Sequence, residues 1–436
     1  MKKGVAIVCF THDLRLSDNA VLSAAIERHE QIIPVYCLEA QFHHSKQFGL
    51  KRTGQRRMQF ILESLADLRS SLSAIGAHLQ VELGDPVESL VKWARATGAS
   101  CIYTKKEVGF EEIELQQRLM KELWKCNAEL TAISTSTLFH PEDLPFGVRD
   151  VPDIFTDFRK RAERETSIRK TLAKPDQLTT PSLPECVLPT TEQLGYEPLA
   201  TDPRSVLTFH GGESAAMQRL AYYCGDRKLL SSYKETRNGL IGGDYSSKFS
   251  PWLAQGCVSP RSIYEAVKHY EQTTESNEST YWLIFELIWR DYFRFAMKKH
   301  KQKFFRLGGI QGKRVPSDRN MELINCWVEG RTGVDFVDAN MRELRATGFM
   351  SNRGRQIVAS YFCNDMKQDW RVGAAYFEEQ LLDYDVASNW GNWAYLAGVG
   401  NDPRGNRYFD IDKQARQYDG AGEYRRLWGG EMTDDK

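Results

Sequence analysis

The chain has no apolar run long enough to cross a bilayer. The nearest, Tyr281-Trp282-Leu283-Ile284-Phe285, runs straight into Glu286, Arg290, Asp291 and Arg294. Nine cysteines are scattered without a single Cys-x-x-Cys pair. That leaves zinc and a disulfide framework unsupported and suits reduced thiols in a cytoplasmic protein. The short apolar start, Met1 to Phe10, lacks a cleavage pattern, so no leader is expected. No Gly-x-Gly-x-x-Gly follows that first segment, which argues against a standard dinucleotide site there. Neither charge sign is in excess, with 58 basic and 58 acidic residues. A nucleic-acid partner would therefore need positive charge gathered locally.

At 436 residues the chain exceeds one ordinary core and suits two domains. Apolar segments at 4–10, 31–38, 77–83, 100–104 and 129–133 read as strands. Stretches near 18–29, 53–75, 86–97 and 110–126 read as helices, one of them started by Asp85-Pro86. The alternation predicts a doubly wound, parallel-sheet α/β domain over 1–135. Prolines at 141, 145, 152, 175, 181, 184, 189, 198 and 203 mark a long inter-domain linker over 136–205, with one helix near 153–172. From 206 to 430 the pattern is helical, so the second domain is expected to be all-α, followed by a frayed tail over 431–436. Its helices are expected at 211–224, 260–272, 278–300, 320–329, 335–346, 352–366, 371–381 and 385–397.

What the chain does hold in quantity is tryptophan beside charge in its last third, the company of a large, flat, charged ligand. In Tyr245-Ser246-Ser247-Lys248-Phe249-Ser250-Pro251-Trp252, clustered hydroxyls and a lysine precede a helix that Ser250 would cap. This makes a phosphate cradle, with an ordinary capped helix start as the plainer alternative. Along 281–297, Glu286, Trp289, Arg290, Phe293 and Arg294 share a helix face. A structural ion pair would use the same residues, but Trp289 adds a stacking face for a base or aromatic cofactor. Asn352-Arg353-Gly354-Arg355-Gln356 opens a helix with two guanidinium groups aimed differently, one inward and one outward. As a merely solvated start it would oppose the helix dipole. Asp385, Asn389 and Trp393 fall at i, i+4 and i+8, with Asp383 just before them, and would line one wall. Core tryptophans in a capped helix are the alternative. The basic run Lys298 to Arg306, followed by Lys313 and Arg314, suits either a rim facing single-stranded nucleic acid or a solvated face.

In order and spacing these motifs resemble the photolyase/cryptochrome family over essentially the whole chain. Gly308 to Gly312, Gly348 to Arg355 and Tyr418 to Trp428 look more like its DASH-type cryptochromes than its standard photolyases. The resemblance implies an α/β antenna domain, a linker and a helical domain that binds FAD. It implies Tyr233 and Ser246, Ser247, Lys248, Phe249 and Ser250 on the diphosphate side. Glu286, Trp289, Arg290, Asn352, Arg355, Asp383, Asp385 and Asn389 would surround the cofactor or its entrance, with Asn389 beside the flavin. Arg237, Trp289, Arg353, Gln356 and Tyr395 would face DNA. The implied chemistry is light-driven electron donation from reduced FAD to a cyclobutane pyrimidine dimer, with Glu286 bonding the dimer and Trp289 stacking on it.

Trp393 and Trp370 would relay electrons to oxidised FAD. Ser317 stands where most relatives place a third, exposed tryptophan, so the relay is either truncated or ended by another residue such as Trp327 or a tyrosine. Tyr395 and Gln356 replace a tryptophan and an apolar side chain of standard photolyases, which fits single-stranded DNA, or RNA, as partner. A methenyltetrahydrofolate antenna is also implied, with Glu107 as its candidate contact; a surface charge at a strand end is the alternative reading. A monomeric cytoplasmic repair enzyme is the leading expectation, and a blue-light signalling photoreceptor without repair is the rival.

Overall fold

The computed structural model describes residues 2–39, 46–184, 186–197, 199–401 and 407–429. The tail expected to fray, 431–436, lies outside them. Five parallel strands form the first sheet: β1 (Lys3–Phe10), β2 (His29–Leu38), β3 (Gln80–Leu83), β4 (Cys101–Lys105) and β5 (Glu129–Ile133). Their order is β3-β2-β1-β4-β5. Ala6, Ile7, Val8 and Ile102 are fully buried because helices cover both faces. Those helices are α1 (Ala20–Arg28), α2 (Gln55–Ser73), α3 (Pro86–Thr97) and α4 (Phe110–Trp124). Asp85 caps α3 through the Val87 and Glu88 amides, and Gly98 ends it at φ +65°, where a side chain would be strained. The strand order reverses between β1 and β4, so their C-terminal ends open a crevice of the kind that receives ligands.

The segment after β5 is strapped to both halves. Backbone bonds join Thr179 to Ile32 and Leu178 to Ile75, while Glu265 holds Thr171. Its one α-helix is α5 (Phe155–Glu165). The helical half is built on α9 (Glu278–His300), which Asn277 and Thr280 start with a reciprocal capping box. Around it stand α6 (Glu213–Leu220), α7 (Ser250–Gln255), α8 (Pro260–Thr273), α10 (Met321–Glu329), α11 (Asp335–Thr347), α12 (Asn352–Ser360), α13 (Trp370–Gln380), α14 (Val386–Leu396), α15 (Ile411–Tyr418) and α16 (Glu423–Trp428).

Two expected helices end differently. The segments 211–224 and 352–366 widen into π turns at Ala221–Asp226 and Tyr361–Asp365. Buried charge closes the seam between the halves. Arg261 clasps Asp18, Arg15 donates to the Gly256 carbonyl, and Glu213 accepts the Leu16 and Ser17 amides. Asp291, pushed by burial up to about 7, accepts the Leu138 and Phe139 amides. Among the described residues no helix is long and apolar enough to cross a membrane.

Candidate functional site

α9, the loop before α7, the start of α12 and the approach to α14 enclose an open cavity of about 650 Å³. A lobe of about 90 Å³ adjoins it, sharing Asn352, Arg355 and Asp383 and reaching Asp385, Asn389 and Trp393. Tyr233, Ser246, Ser247, Lys248, Phe249 and Ser250 all line the larger space. Ser250 is not the helix cap: it is the first residue of α7, and Phe249 occupies the cap position without a side-chain bond. Pro251 removes one N–H there, so the turn needs less capping.

Lys248 sits at φ +60° and is 3% exposed. Its ammonium bonds Ser246 Oγ at 3.1 Å and sits over the Tyr245 ring, 2.8 Å from the centroid, and among the described residues it has no ion pair. Burial holds its pKa well below the lysine range, while Glu343 draws it back upward. Arg219, on α6, was not singled out by its surroundings in sequence. It fixes the loop by donating to the Ser247, Gly243 and Ser246 carbonyls. Tyr233 is buried beneath, and burial pushes its hydroxyl pKa up.

The opposite wall is an ion-pair ladder. Arg355 pairs with Asp383 at 2.9 Å, leaving Asp383 Oδ1 buried without a partner. Asp385 caps α14 through the Ser388 amide and pairs with Arg294. Burial would raise the Asp385 pKa, but Arg294 and Arg290 outweigh it and hold the carboxyl far below its usual range. Arg294 thus leaves the face shared by Glu286, Trp289, Arg290 and Phe293, which do line the cavity. Arg290 is lowered by burial to about 10 and spends its guanidinium on the Ser136 and Leu253 carbonyls, so it braces the wall. Asn389 donates Nδ2 to the Ala374 carbonyl at 2.9 Å, which fixes its amide in the lobe.

At the mouth, Glu286 accepts from Arg237 at 2.6 Å and from Trp282 Nε1 at 3.2 Å. Burial raises its pKa, and Arg237 opposes the rise. Trp282, unnoticed in the sequence, lies between Lys234 and Arg237, 4.9 and 5.4 Å from its ring centroid. Trp289 stacks on Phe155 of α5, with centroids 3.6 Å apart and planes at 10°. Tyr395 meets it edge-on at 6.2 Å. Gln356 and Asn352 line the same space. Arg353 stands apart from it, bonded to Asn238 and set over the Tyr418 ring.

Trp393 rests on Gly373, where a Cβ would meet its ring at 2.3 Å, one turn beyond Trp370. Trp327 touches Trp393 edge-on at 6.1 Å and is fully buried. Ser317 is exposed.

Glu107 lies at the β1/β4 crevice and is 8% exposed, so it is no surface charge. It takes Lys105 at 3.1 Å and the Thr11 hydroxyl. Burial would raise its pKa, but Lys105 leads the groups that bring it to about 2. The cavity beside it is about 20 Å³, room for about one water. The basic run is partly absorbed: Lys299 and His300 bond Asp153.

The site's chemistry is therefore split. One end is an anion cradle with an under-partnered buried lysine; the other is an aromatic mouth holding a poised carboxyl. Such a cavity fits a ligand that is a polyanion at one end and a flat heterocycle at the other.

Residues 6–181 match the family described as DNA photolyase, and 282–435 the one described as FAD binding domain of DNA photolyase. The chain is 46% identical to the Xenopus laevis protein named Cryptochrome DASH, across 99% of this chain and 84% of that one. It superposes on the crystal structure of a Synechocystis cryptochrome with a TM-score of 0.95 at 46% identity, covering 98% of this chain and 89% of the other. Against a bacterial class III photolyase from Agrobacterium tumefaciens the TM-score is 0.83 at 28% identity, covering 98% and 87%.

Proposed function

The chain belongs to the photolyase/cryptochrome family, and from that premise we propose that it is a blue-light-dependent repair enzyme for cyclobutane pyrimidine dimers in single-stranded DNA. The observation that carries this reading is the pairing of Glu286 and Trp289 on one wall of an open cavity whose far side is an anion cradle. The residues present fit FAD. Lys248 and the Ser246–Ser250 loop would hold its diphosphate, answering the lysine's missing counter-charge. Asp383 Oδ1, buried without a donor, and the fixed amide of Asn389 would meet its polar edges. Bound there, FAD supplies photo-driven single-electron donation.

The protein's own part is binding and orientation. Phe155 holds the Trp289 ring flat from behind, so its other face is ready for a base stack, which is worth about 1–3 kcal/mol. Glu286 is kept at the mouth by Arg237 and Trp282. Burial raises its pKa and the Arg237 pair opposes the rise; the carboxyl is placed to bond a pyrimidine edge once Arg237 turns to phosphate. Tyr395 and Gln356 make this pocket smaller in stacking area and more polar. A base pair must otherwise be broken for entry, so unpaired DNA is favoured; RNA shares that advantage. We read the protein as a cytoplasmic monomer; the residues around Glu107 do not fit a folate antenna, because the space beside it is only about 20 Å³ and its carboxylate already takes Lys105 and Thr11.

The test is turnover. Reduced protein is irradiated with a dimer-bearing oligonucleotide, single-stranded or duplex, and restored pyrimidine absorbance is followed. Faster repair of the single strand, lost in Glu286→Ala with FAD retained, supports the reading. Equal rates on both strands remove the single-strand preference. No turnover on either moves the family reading to a signalling photoreceptor.

A further inference from the structure

A second cavity, of about 400 Å³, is lined by residues that the site above does not share. Its floor is Trp370, whose indole is 1% exposed and fixed by a bond from Nε1 to the Leu307 carbonyl. Val315 and Pro316 add apolar wall. Its charged lining is wholly cationic: Lys313, Arg314 and Lys367 border it, and no acidic residue does. Among the described residues none of the three has an ion pair. Of the acidic residues nearest in sequence, Asp369 takes Arg319 and Arg371 and Asp365 takes the Tyr408 hydroxyl, while exposed Asp318 is bridged through its backbone to Gln368.

The backbone around this cavity departs from regular geometry twice. The π turn Tyr361–Asp365 forms one side, and Lys367 is held at φ +56°. Both kinds of departure cluster at functional sites. Strain spent to place a lysine beside two other unpaired cations asks for an anion.

We propose that this cavity docks a small, planar reducing anion of the enediolate class, which returns one electron to Trp370. The proposal rests on the reading above that Trp370 carries an electron toward bound FAD. An indole that has lost one electron takes one from the enediolate monoanion and becomes neutral again. The donor becomes a one-electron-oxidised radical anion, and its remaining enol proton goes to water. The three cations raise the local concentration of such a donor, as like-signed clefts do for substrates. A neutral reductant gains nothing from them.

The experiment uses the FAD-loaded protein and Lys313→Glu/Lys367→Glu, with sodium ascorbate as probe. In the dark and without oxygen, calorimetry should show saturable binding, weakened roughly tenfold in the variant. Under blue light, flavin reduction should saturate with ascorbate in the parent and slow in the variant. With neutral dithiothreitol the two proteins should reduce at equal rates. Absence of saturable ascorbate binding in the dark overturns the proposal, and so does an equal loss with both reductants. A colourless protein would sink the flavin reading separately, and dark ascorbate binding would still decide the anion site.

Discussion

Replacing Lys248 by methionine should stabilise the cofactor-free protein and weaken FAD binding, two effects of opposite sign from one side chain. Lys248 is 3% exposed, and its ammonium finds one hydroxyl at 3.1 Å and the face of the Tyr245 ring. Methionine fills the same length with an apolar, unbranched chain, and at φ +60° it meets the same backbone restriction as lysine. Removing a buried charge that has no counter-ion, only a hydroxyl and the Tyr245 ring, should raise stability by about 1–2 kcal/mol. The gain depends on pH with a definite sign. Burial lowers the folded pKa of Lys248, so its cost is full on the acidic side, where it must be charged, and fades as pH rises through that lowered value. FAD binding should suffer because a hydrogen bond to a charged group is worth about 1.5–3 kcal/mol, or about ten- to hundredfold in Kd. Denaturant melts of apoprotein across pH, with fluorescence titration of FAD, read both effects. A variant less stable than the parent, or one that binds FAD unchanged, would refute the argument that this lysine is held for an anion.

Other expectations follow from the buried charges and rings. Glu343, pushed by burial up to about 7, contributes stability that is full below its unfolded pKa and is lost as pH rises through 7. Glu343 should therefore remove about 3 kcal/mol of apoprotein stability between pH 5 and 8, beside a like loss from Asp291, and Glu343→Gln should reduce the slope by its own share in urea melts. Arg294→Met leaves Asp385 buried without its main partner and should cost about 3–5 kcal/mol. Asp385→Asn keeps an acceptor at the α14 cap and should cost less, and the double variant should recover part of the loss; additive costs would rule out the coupling. Trp370→Phe should slow flavin photoreduction, whereas Trp327→Phe should not, because Trp370 lines an open cavity and Trp327 does not. Transient absorption of the two variants separates them, and equal slowing would show that Trp327 carries current.

Strand and helix periodicity made the architecture readable to within a few residues, because apolar segments of period 2 and 3.6 dominate both halves. The short helices α15 and α16 were not foreseen, since six to eight residues carry too little periodicity, whereas α7 was flagged by its Ser-Pro start. The π endings were missed for a different reason: a wider turn leaves the apolar pattern intact. Residues of the cavity that follow one another along the chain, such as the Ser246–Ser250 loop, were visible as motifs. Arg219 and Trp282 were not. Each acts across space on a group from another segment, and nothing local distinguishes it from an ordinary arginine or core indole. Arg294 shared the right helix face yet turned to Asp385, because a buried carboxylate outcompetes an open cavity. Trp289 was foreseen as a stacking face, but its backing ring, Phe155, came from more than a hundred residues upstream.

That backing ring makes the connecting strap part of the working surface. Leu138 and Phe139 are tied to Asp291, Ser136 to Arg290 and Phe155 to Trp289, so three separate points of one strap hold three consecutive residues of α9. A hybrid protein that grafts another relative's sheet domain onto this helical half should carry residues 136–165 with the helices. A graft cut at 205 would import a foreign cushion beneath Trp289 and misalign the lesion pocket, even with every residue of the helical half unchanged.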